Sequence, residues 1–198
     1  MDPISRIEDF AHWGLQSLSE QGIEMFDLLG HSMGGMIVQE MIRQAPQRVD
    51  RLILYGTGAK GVLPGRFETI ETSMERARTD GAEATARRIA TTWFLERDAA
   101  KGFTECAEIA SQASLPAILS GLAAMRDWSG EDHLAAIDAK TLVLWGDQDR
   151  TYAWPQVEQL WKGLRNSSLA VIPHSAHAVH AEHASIFNDM IEGFLNDA

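Results

Sequence analysis

The stretch FDLLGHSMGG, residues 26–35, constrains the fold of this chain more than any other. An apolar run typical of a strand leads into a serine with a glycine two residues before it and another two residues after it. A helical pattern follows. Because glycine has no Cβ, Gly30 and Gly34 are expected to permit a tight turn with close backbone approach. Ser32 would then stand at the C-terminal end of the strand and at a helix N-terminus, where backbone N–H groups favour negative charge.

The composition is that of an ordinary globular chain. With 198 residues, 45% of them hydrophobic and 23% charged, it can form one domain with a sizeable core. The net charge of −11 argues against nucleic acid and anionic membrane surfaces as partners. Cys106 is the only cysteine, so no internal disulfide is expected. No apolar run reaches the roughly 18 residues of a membrane span, and no signal-peptide pattern opens the sequence. These features predict a cytoplasmic protein without a membrane span.

Strands and helices alternate on both sides of the serine, which indicates a parallel sheet. The sequence predicts strands over 25–29, 49–55, 141–146 and 169–172. It predicts helices over 4–21, 33–44, 154–164 and 181–195. Ser5 and Glu8 resemble a capping box at the start of the first helix.

The middle of the chain, residues 59–137, has a different pattern, with no convincing strand. Helices are predicted there over 66–79, 82–96, 99–113 and 115–126. We therefore expect an all-helical insertion between two parts of a sheet domain formed by 1–58 and 138–198. Most of its large apolar side chains should pack against the sheet, and at least one of four should influence substrate preference. Its large apolar side chains include Phe67 and the four candidates Trp93, Phe94, Met125 and Trp128.

Gly-His-Ser-Met-Gly-Gly resembles the nucleophile elbow of the α/β-hydrolase family, in its esterase- and lipase-like branch. The helical insertion resembles the cap of that family, and the resemblance extends over nearly the whole chain. It implies an α/β fold with a parallel sheet of about four strands and an all-helical cap. It also implies that Ser32 is the nucleophile and that the N–H of Met33 is an oxyanion donor. We expect neither a cofactor nor a metal ion.

A serine nucleophile needs a base, and the base needs a group that orients it. In this family the chain order is serine, acid, histidine. Asp147 and Asp149 both follow the strand 141–146. The family's Gly-x-x-Asp pattern indicates Asp149 as the acid and leaves Asp147 as a turn residue that binds the backbone.

A cluster of histidines follows the last predicted strand. His177 matches the family's base, although Ala176 replaces the glycine that usually precedes it. His174 lies where the family often has a small residue, and we expect it near the mouth of the pocket. His180 and His183 do not fit a metal-binding HExxH pattern and are expected to begin the terminal helix as solvated side chains.

The implied reaction is acyl transfer to water through an acyl-enzyme on Ser32, with a small molecule that carries a carboxylic ester, lactone or related acyl bond as substrate. Two alternatives stay open. One is hydrolysis of a carbon–carbon bond in ring-cleavage products by the same triad. The other is a non-catalytic or partial hydrolase subunit that needs a separate N-terminal segment.

The family has further strands before the first predicted helix, and they carry the loop that provides a second oxyanion donor. Nothing in this sequence matches them. We therefore expect the strand 25–29 to be a sheet edge. Met25 and Leu29 make this edge apolar, and an open apolar edge invites pairing with another strand, from a separate N-terminal segment or from a second copy of the chain.

Overall fold

A computed structural model of the chain describes residues 4–62, 64–65 and 68–197. Four parallel strands form its sheet, in the order β1-β2-β3-β4. The two central strands, β2 and β3, have near-continuous buried runs, as suits strands that are covered on both faces. The predicted α/β fold with about four parallel strands is confirmed. The strands are β1 (Phe26–His31), β2 (Val49–Tyr55), β3 (Lys140–Gly146) and β4 (Ser167–Ile172).

Helices cover the two faces of the sheet. On one face Leu52 and Leu54 belong to the main core, with α1, α2 and α7. On the other face Tyr55 and Leu144 pack with the C-terminal helices. Alternate residues of β2 therefore point into different cores, as the strand period of two requires. The helices outside the middle segment are α1 (Ile7–Glu20), α2 (Met33–Gln44), α7 (Trp154–Gly163), α8 (Val179–Glu182) and α9 (Ala184–Asn196).

The segment between β2 and β3 is helical in its described part. An antiparallel bridge between Lys60 and Ser129 joins its two ends, and the Gly130 N–H donates to the Ala59 carbonyl at 2.8 Å. The boundaries 59–137 for a cap stay a prediction. The predicted helix start at 66, together with Phe67, lies outside the described residues. The helices are α3 (Ile70–Asp80), α4 (Ala82–Thr91), α5 (Phe103–Ala110) and α6 (Leu115–Arg126).

Two local predictions about helices were wrong. Helix α1 begins at Ile7, and its N-cap residue Arg6 makes no side-chain capping bond. Glu8 pairs with the Arg6 guanidinium at 3.3 Å, so the predicted capping box with Ser5 does not form. The terminal helix is divided into α8 and α9 at His183, whose φ of −135° is not helical.

Strand β1 lies at an edge of the sheet as far as the described residues extend, because it pairs only with β2 there. Leu29 is 44% exposed, and Met25, just before the strand, is 58% exposed. An apolar edge is therefore available to another strand. Within 4–62, 64–65 and 68–197, no helix has the length and apolar character to cross a membrane.

Candidate active site

Ser32 occupies the turn between β1 and α2 in a strained conformation. Its φ of 54° and ψ of −122° are unusual for a residue with a side chain. Two contacts from the end of β2 hold the backbone there. The Ser32 N–H donates to the Tyr55 carbonyl at 3.1 Å, and the Thr57 hydroxyl donates to the Ser32 carbonyl at 2.7 Å. Such strain persists only where surrounding contacts fix it, which is common at active sites.

The predicted role of Gly30 in this turn is confirmed, and that of Gly34 is not. A Cβ on Gly30 would lie 2.4 Å from the Gly34 carbonyl oxygen, so Gly30 is required for close approach. A Cβ on Gly34 would meet nothing within 4 Å, and the expectation that Gly34 relieves crowding was wrong. The crowded helical glycine is Gly35, where a Cβ would lie 2.4 Å from the Thr57 hydroxyl oxygen.

Asp149 and His177 meet at the C-terminal ends of β3 and β4. The Nδ1 atom of His177 lies 2.8 Å from Oδ2 of Asp149, and both side chains are completely buried. The other oxygen, Oδ1, accepts the backbone N–H groups of Thr151 at 2.7 Å and Tyr152 at 3.1 Å. The turn thus fixes the carboxylate, and the carboxylate fixes the imidazole.

Asp147, the alternative acid, points elsewhere. Its Oδ1 accepts the N–H of Ser175 at 3.3 Å, a backbone contact of the kind expected from a turn aspartate. It links the loop after β3 to the loop that carries His177. The structure therefore brings Asp149, and not Asp147, to the imidazole.

The second ring nitrogen of His177, Nε2, is buried and has no hydrogen-bond partner among the described residues. With a proton on Nδ1 facing Asp149, the neutral imidazole leaves Nε2 as an acceptor. The Ser32 hydroxyl does not occupy it in this conformation. Such hydrogen bonds are often long in ligand-free sites and shorten when substrate binds.

Two ring side chains hold the backbone carbonyl of His177, and the sequence alone did not place either of them in the site. The Tyr55 hydroxyl donates to the His177 carbonyl at 2.7 Å, and Nε2 of His31 lies 3.1 Å from the same oxygen. The His31 ring lies between the other two rings, with centroids 4.3 Å from Tyr55 and 4.4 Å from His177. His31 precedes Ser32 directly, so the turn that exposes the serine also supports the histidine. Only its position in the elbow motif could have drawn attention to it.

Burial shifts the pKa values of three side chains around His177, namely His31, His180 and Tyr55. Burial, and then the proximity of His177 and His180, lowers the pKa of His31 well below its ordinary value. Burial is also the main cause of the lowered pKa of His180 and of the raised pKa of Tyr55. His31 is therefore neutral at pH 7, so its Nε2–H can donate to the His177 carbonyl without adding a charge beside the imidazole.

His180 and His183 form specific hydrogen bonds instead of being merely solvated, which corrects the prediction for these two residues. The Nδ1 atom of His180 lies 3.0 Å from the Tyr55 hydroxyl, although part of its side chain is exposed. Nε2 of His183 donates to the His174 carbonyl at 2.9 Å. His174 itself has a φ of 54°, the left-handed conformation that favours glycine and so explains the small residue expected there.

Met33 is the first residue of α2, where backbone N–H groups have no partner within the helix. Its assignment as an oxyanion donor stays a prediction. The Met33 side chain faces the middle segment, because a Cβ on Gly121 of α6 would lie 3.5 Å from its sulfur. The helical segment thus approaches the turn that carries Ser32.

An open cavity of about 690 Å³ lies between α5 and α8. Trp93 and His180 line it, and the Trp93 ring centroid is 6.1 Å from that of His177. Of the four apolar residues expected to influence substrate preference, only Trp93 lines this cavity. Phe94 is buried against Phe103, and Trp128 donates its indole N–H to Glu40 in the main core. The remaining one, Met125, packs against the main core.

Comparisons with known proteins identify the family and the fold. The model of the alpha/beta hydrolase fold family matches residues 4–184. The chain is 30% identical over 193 residues to a 2-hydroxymuconate semialdehyde hydrolase from Pseudomonas putida, covering 91% of this chain and 66% of that protein. It is 25% identical over 178 residues to a protein provisionally named carbamate hydrolase RutD from Rhizobium rhizogenes, covering 87% of this chain and 68% of that protein.

A solved structure shares the fold. The enol-lactonase from Burkholderia xenovorans superposes with a TM-score of 0.87 at 21% identity, over 97% of this chain and 74% of that one. At this identity the similarity describes the fold alone. The chain thus spans about two thirds to three quarters of the length of the proteins it resembles.

Proposed function

Because the chain belongs to the α/β-hydrolase family, we propose that it is a serine hydrolase with Ser32 as nucleophile, His177 as base and Asp149 as the orienting acid. The observation that carries the proposal is the buried 2.8 Å contact between His177 and Asp149. This contact fixes one tautomer and leaves Nε2 of His177 free to accept a proton. A surface pair of the same residue types would not hold a defined tautomer.

In the proposed reaction, Nε2 of His177 takes the Ser32 proton as the serine oxygen bonds to the substrate carbonyl carbon. The imidazolium that forms is stabilised by the Asp149 carboxylate, which keeps its backbone hydrogen bonds and its charge. His177 then gives the proton to the leaving group, and an acyl-enzyme remains on Ser32. Water, deprotonated by the same histidine, hydrolyses that ester and restores the enzyme. The Met33 N–H stabilises the oxyanion in both halves.

The substrate class of this proposal is a small carboxylic ester, lactone or related acyl compound. The cavity beside Trp93 has a volume of about 690 Å³, within the range of pockets for small molecules, although Ser32 and His177 do not line it. A second candidate is cleavage of a carbon–carbon bond in a ring-cleavage product. It is supported by the relative named 2-hydroxymuconate semialdehyde hydrolase, at 30% identity. The same three residues would serve both reactions.

A turnover assay tests the proposal and separates the candidates. The purified chain is given p-nitrophenyl acetate, and in parallel a 2-hydroxy-6-oxodienoate. With the Met33 N–H as the one proposed oxyanion donor, we expect slow ester hydrolysis by the isolated chain, which Ser32→Ala should lower to near the uncatalysed rate. Ser168→Ala, an exposed serine of β4, is the matched control and should retain full activity. Turnover of the dienoate alone would favour the second candidate, and turnover of neither would favour a non-catalytic or partial subunit.

We also propose that the β1 edge pairs with another strand, either a separate N-terminal segment or a second copy of the chain. Its support is the exposure of Met25 and Leu29 beside unpaired backbone groups of β1. Pairing would cover apolar side chains that are otherwise in contact with water. A segment that pairs there would lie next to the turn of Ser32.

A further inference from the structure

One carboxylate joins two parts of the chain that flank the candidate site. Oε2 of Glu182 accepts the N–H of Ala176 at 2.7 Å, and Ala176 directly precedes His177. Oε1 of the same side chain accepts the N–H of Leu95 at 2.5 Å. Leu95 lies in the helical middle segment, two residues after Trp93. Each carboxylate oxygen therefore holds a different segment, one with the histidine and one with the cavity wall.

Three further hydrogen bonds, from Arg150 and Ala178, hold residues 93–95 against the loops of the acid and the base. The guanidinium of Arg150, next to Asp149, donates to the Phe94 carbonyl at 3.0 Å and to the Leu95 carbonyl at 3.1 Å. The Ala178 N–H donates to the Trp93 carbonyl at 2.9 Å. Leu95 thus has its N–H on a carboxylate and its carbonyl on a guanidinium. Charge-assisted hydrogen bonds of this kind are the stronger ones, and here they fix the backbone of Leu95 on both sides of its Cα.

We propose that Glu182 is a positioning residue that fixes His177 and residues 93–95 to one another. It touches no reacting atom. The Glu182 carboxylate thereby fixes the position of the imidazole relative to Trp93, which lines the cavity. Moving either the segment with Ala176 or the segment with Leu95 would break a hydrogen bond to this carboxylate. The role of His177 in this inference rests on the proposed function, whereas the coupling of the two segments does not.

The test is Glu182→Gln, with Glu192→Gln on the exposed side of α9 as a matched control. Glutamine has one acceptor oxygen, and its amide nitrogen would face an N–H group, so only one of the two contacts can survive. Hydrogen exchange is followed at the Leu95 and Ala176 amides. At least one of them should lose about 10- to 100-fold in protection. Wild-type protection at both amides would overturn the proposal.

Kinetics supplies the second readout on the same variants. A shift of the imidazole should lower kcat for p-nitrophenyl acetate about 10-fold or more, since small displacements at a reacting group are costly. Glu192→Gln should match the wild type. A rise in KM at unchanged kcat would mean that Glu182 only stabilises the middle segment, and would overturn the positioning role. Because hydrogen exchange needs no turnover, an inactive wild-type chain would refute the proposed function without deciding the coupling.

Glu182→Asp covers the case in which Glu182→Gln does not fold. Aspartate keeps the charge but is one methylene shorter, so it should reach one N–H group and not both. We expect loss of protection at one amide, with the other retained. Full protection at both amides in this variant would also overturn the proposal.

Discussion

Gly35→Ala tests how tightly the turn of Ser32 is packed. A Cβ at this position would lie 2.4 Å from the Thr57 hydroxyl oxygen and 2.5 Å from both carbons of that side chain beyond Cα. Thr57 is only 2% exposed, so it has little room to move. Its hydroxyl also holds the Ser32 carbonyl at 2.7 Å. The added methyl group must therefore displace the residue that fixes the strained serine.

The expected cost combines three effects. Overpacking a filled site costs about 1–3 kcal/mol. Loss of the Thr57 hydrogen bond adds about 1 kcal/mol. Replacing a helical glycine by alanine returns about 0.5–1 kcal/mol. The net destabilisation should be about 2 kcal/mol, which corresponds to a fall in Tm of about 4–8 °C for a chain of this size.

Gly34→Ala is the control, because the same change one residue earlier meets no atom within 4 Å. It should leave stability unchanged or raise it by about 0.5 kcal/mol. Urea denaturation of both variants measures the difference. Equal stability of the two variants would refute the packing argument and would show that Thr57 can move without loss.

Two further predictions concern the acid and the sheet edge. Asp149→Asn should lower kcat on p-nitrophenyl acetate about 10⁴-fold because the orienting acid is lost. Asp147→Asn should cost far less, because asparagine keeps an oxygen that can accept the Ser175 N–H, which lies 3.3 Å from Oδ1 of Asp147. Equal losses would contradict the assignment. In sedimentation velocity, Leu29→Lys should reduce self-association through β1 relative to the wild type, since a charge on an edge strand opposes pairing; a wild-type chain that stays monomeric at all concentrations would exclude a second copy as the partner.

Much of the sheet could be predicted because its signals are local. The predicted bounds of α2, β2 and α6 are confirmed at both ends. Pro46 follows α2, Gly56 follows β2, and Ser114 caps α6 by accepting the Ala117 N–H at 3.3 Å. In each case a residue that marks the start or the end of a helix or strand lies next to a clear apolar pattern.

Helix α4 shows why other bounds could not be predicted. The helix is predicted to continue to Glu96, yet it ends at Thr91. The backbone groups of residues 93–95 bind Ala178, Arg150 and Glu182 instead of continuing the helix. These partners lie more than 50 positions away in the sequence, and no local pattern reveals them. Tertiary contacts here override helix propensity.

In the candidate site too, residues with a local sequence pattern could be predicted, whereas contacts between distant parts of the chain could not. Ser32, Asp149 and His177 each follow a strand in a recognisable pattern, and the structure brings the last two into contact. The support of His177 by Tyr55 and His31, and of its loop by Glu182, depends on contacts across the fold. Tyr55 reads in the sequence as an ordinary strand residue, and its hydroxyl bond to the His177 carbonyl spans 122 positions. Contacts of this kind join residues far apart in the sequence and can be recognised only in the folded chain.

The most direct test of the account is covalent labelling of the nucleophile. The purified chain is treated with a fluorophosphonate, which reacts only with a serine activated by a neighbouring base. Intact-mass measurement and peptide mapping should find one adduct, located on Ser32. The adduct should be absent in Ser32→Ala and strongly slowed in His177→Gln. Labelling that persists in Ser32→Ala, or a wild-type chain that stays unlabelled, would contradict the proposed mechanism.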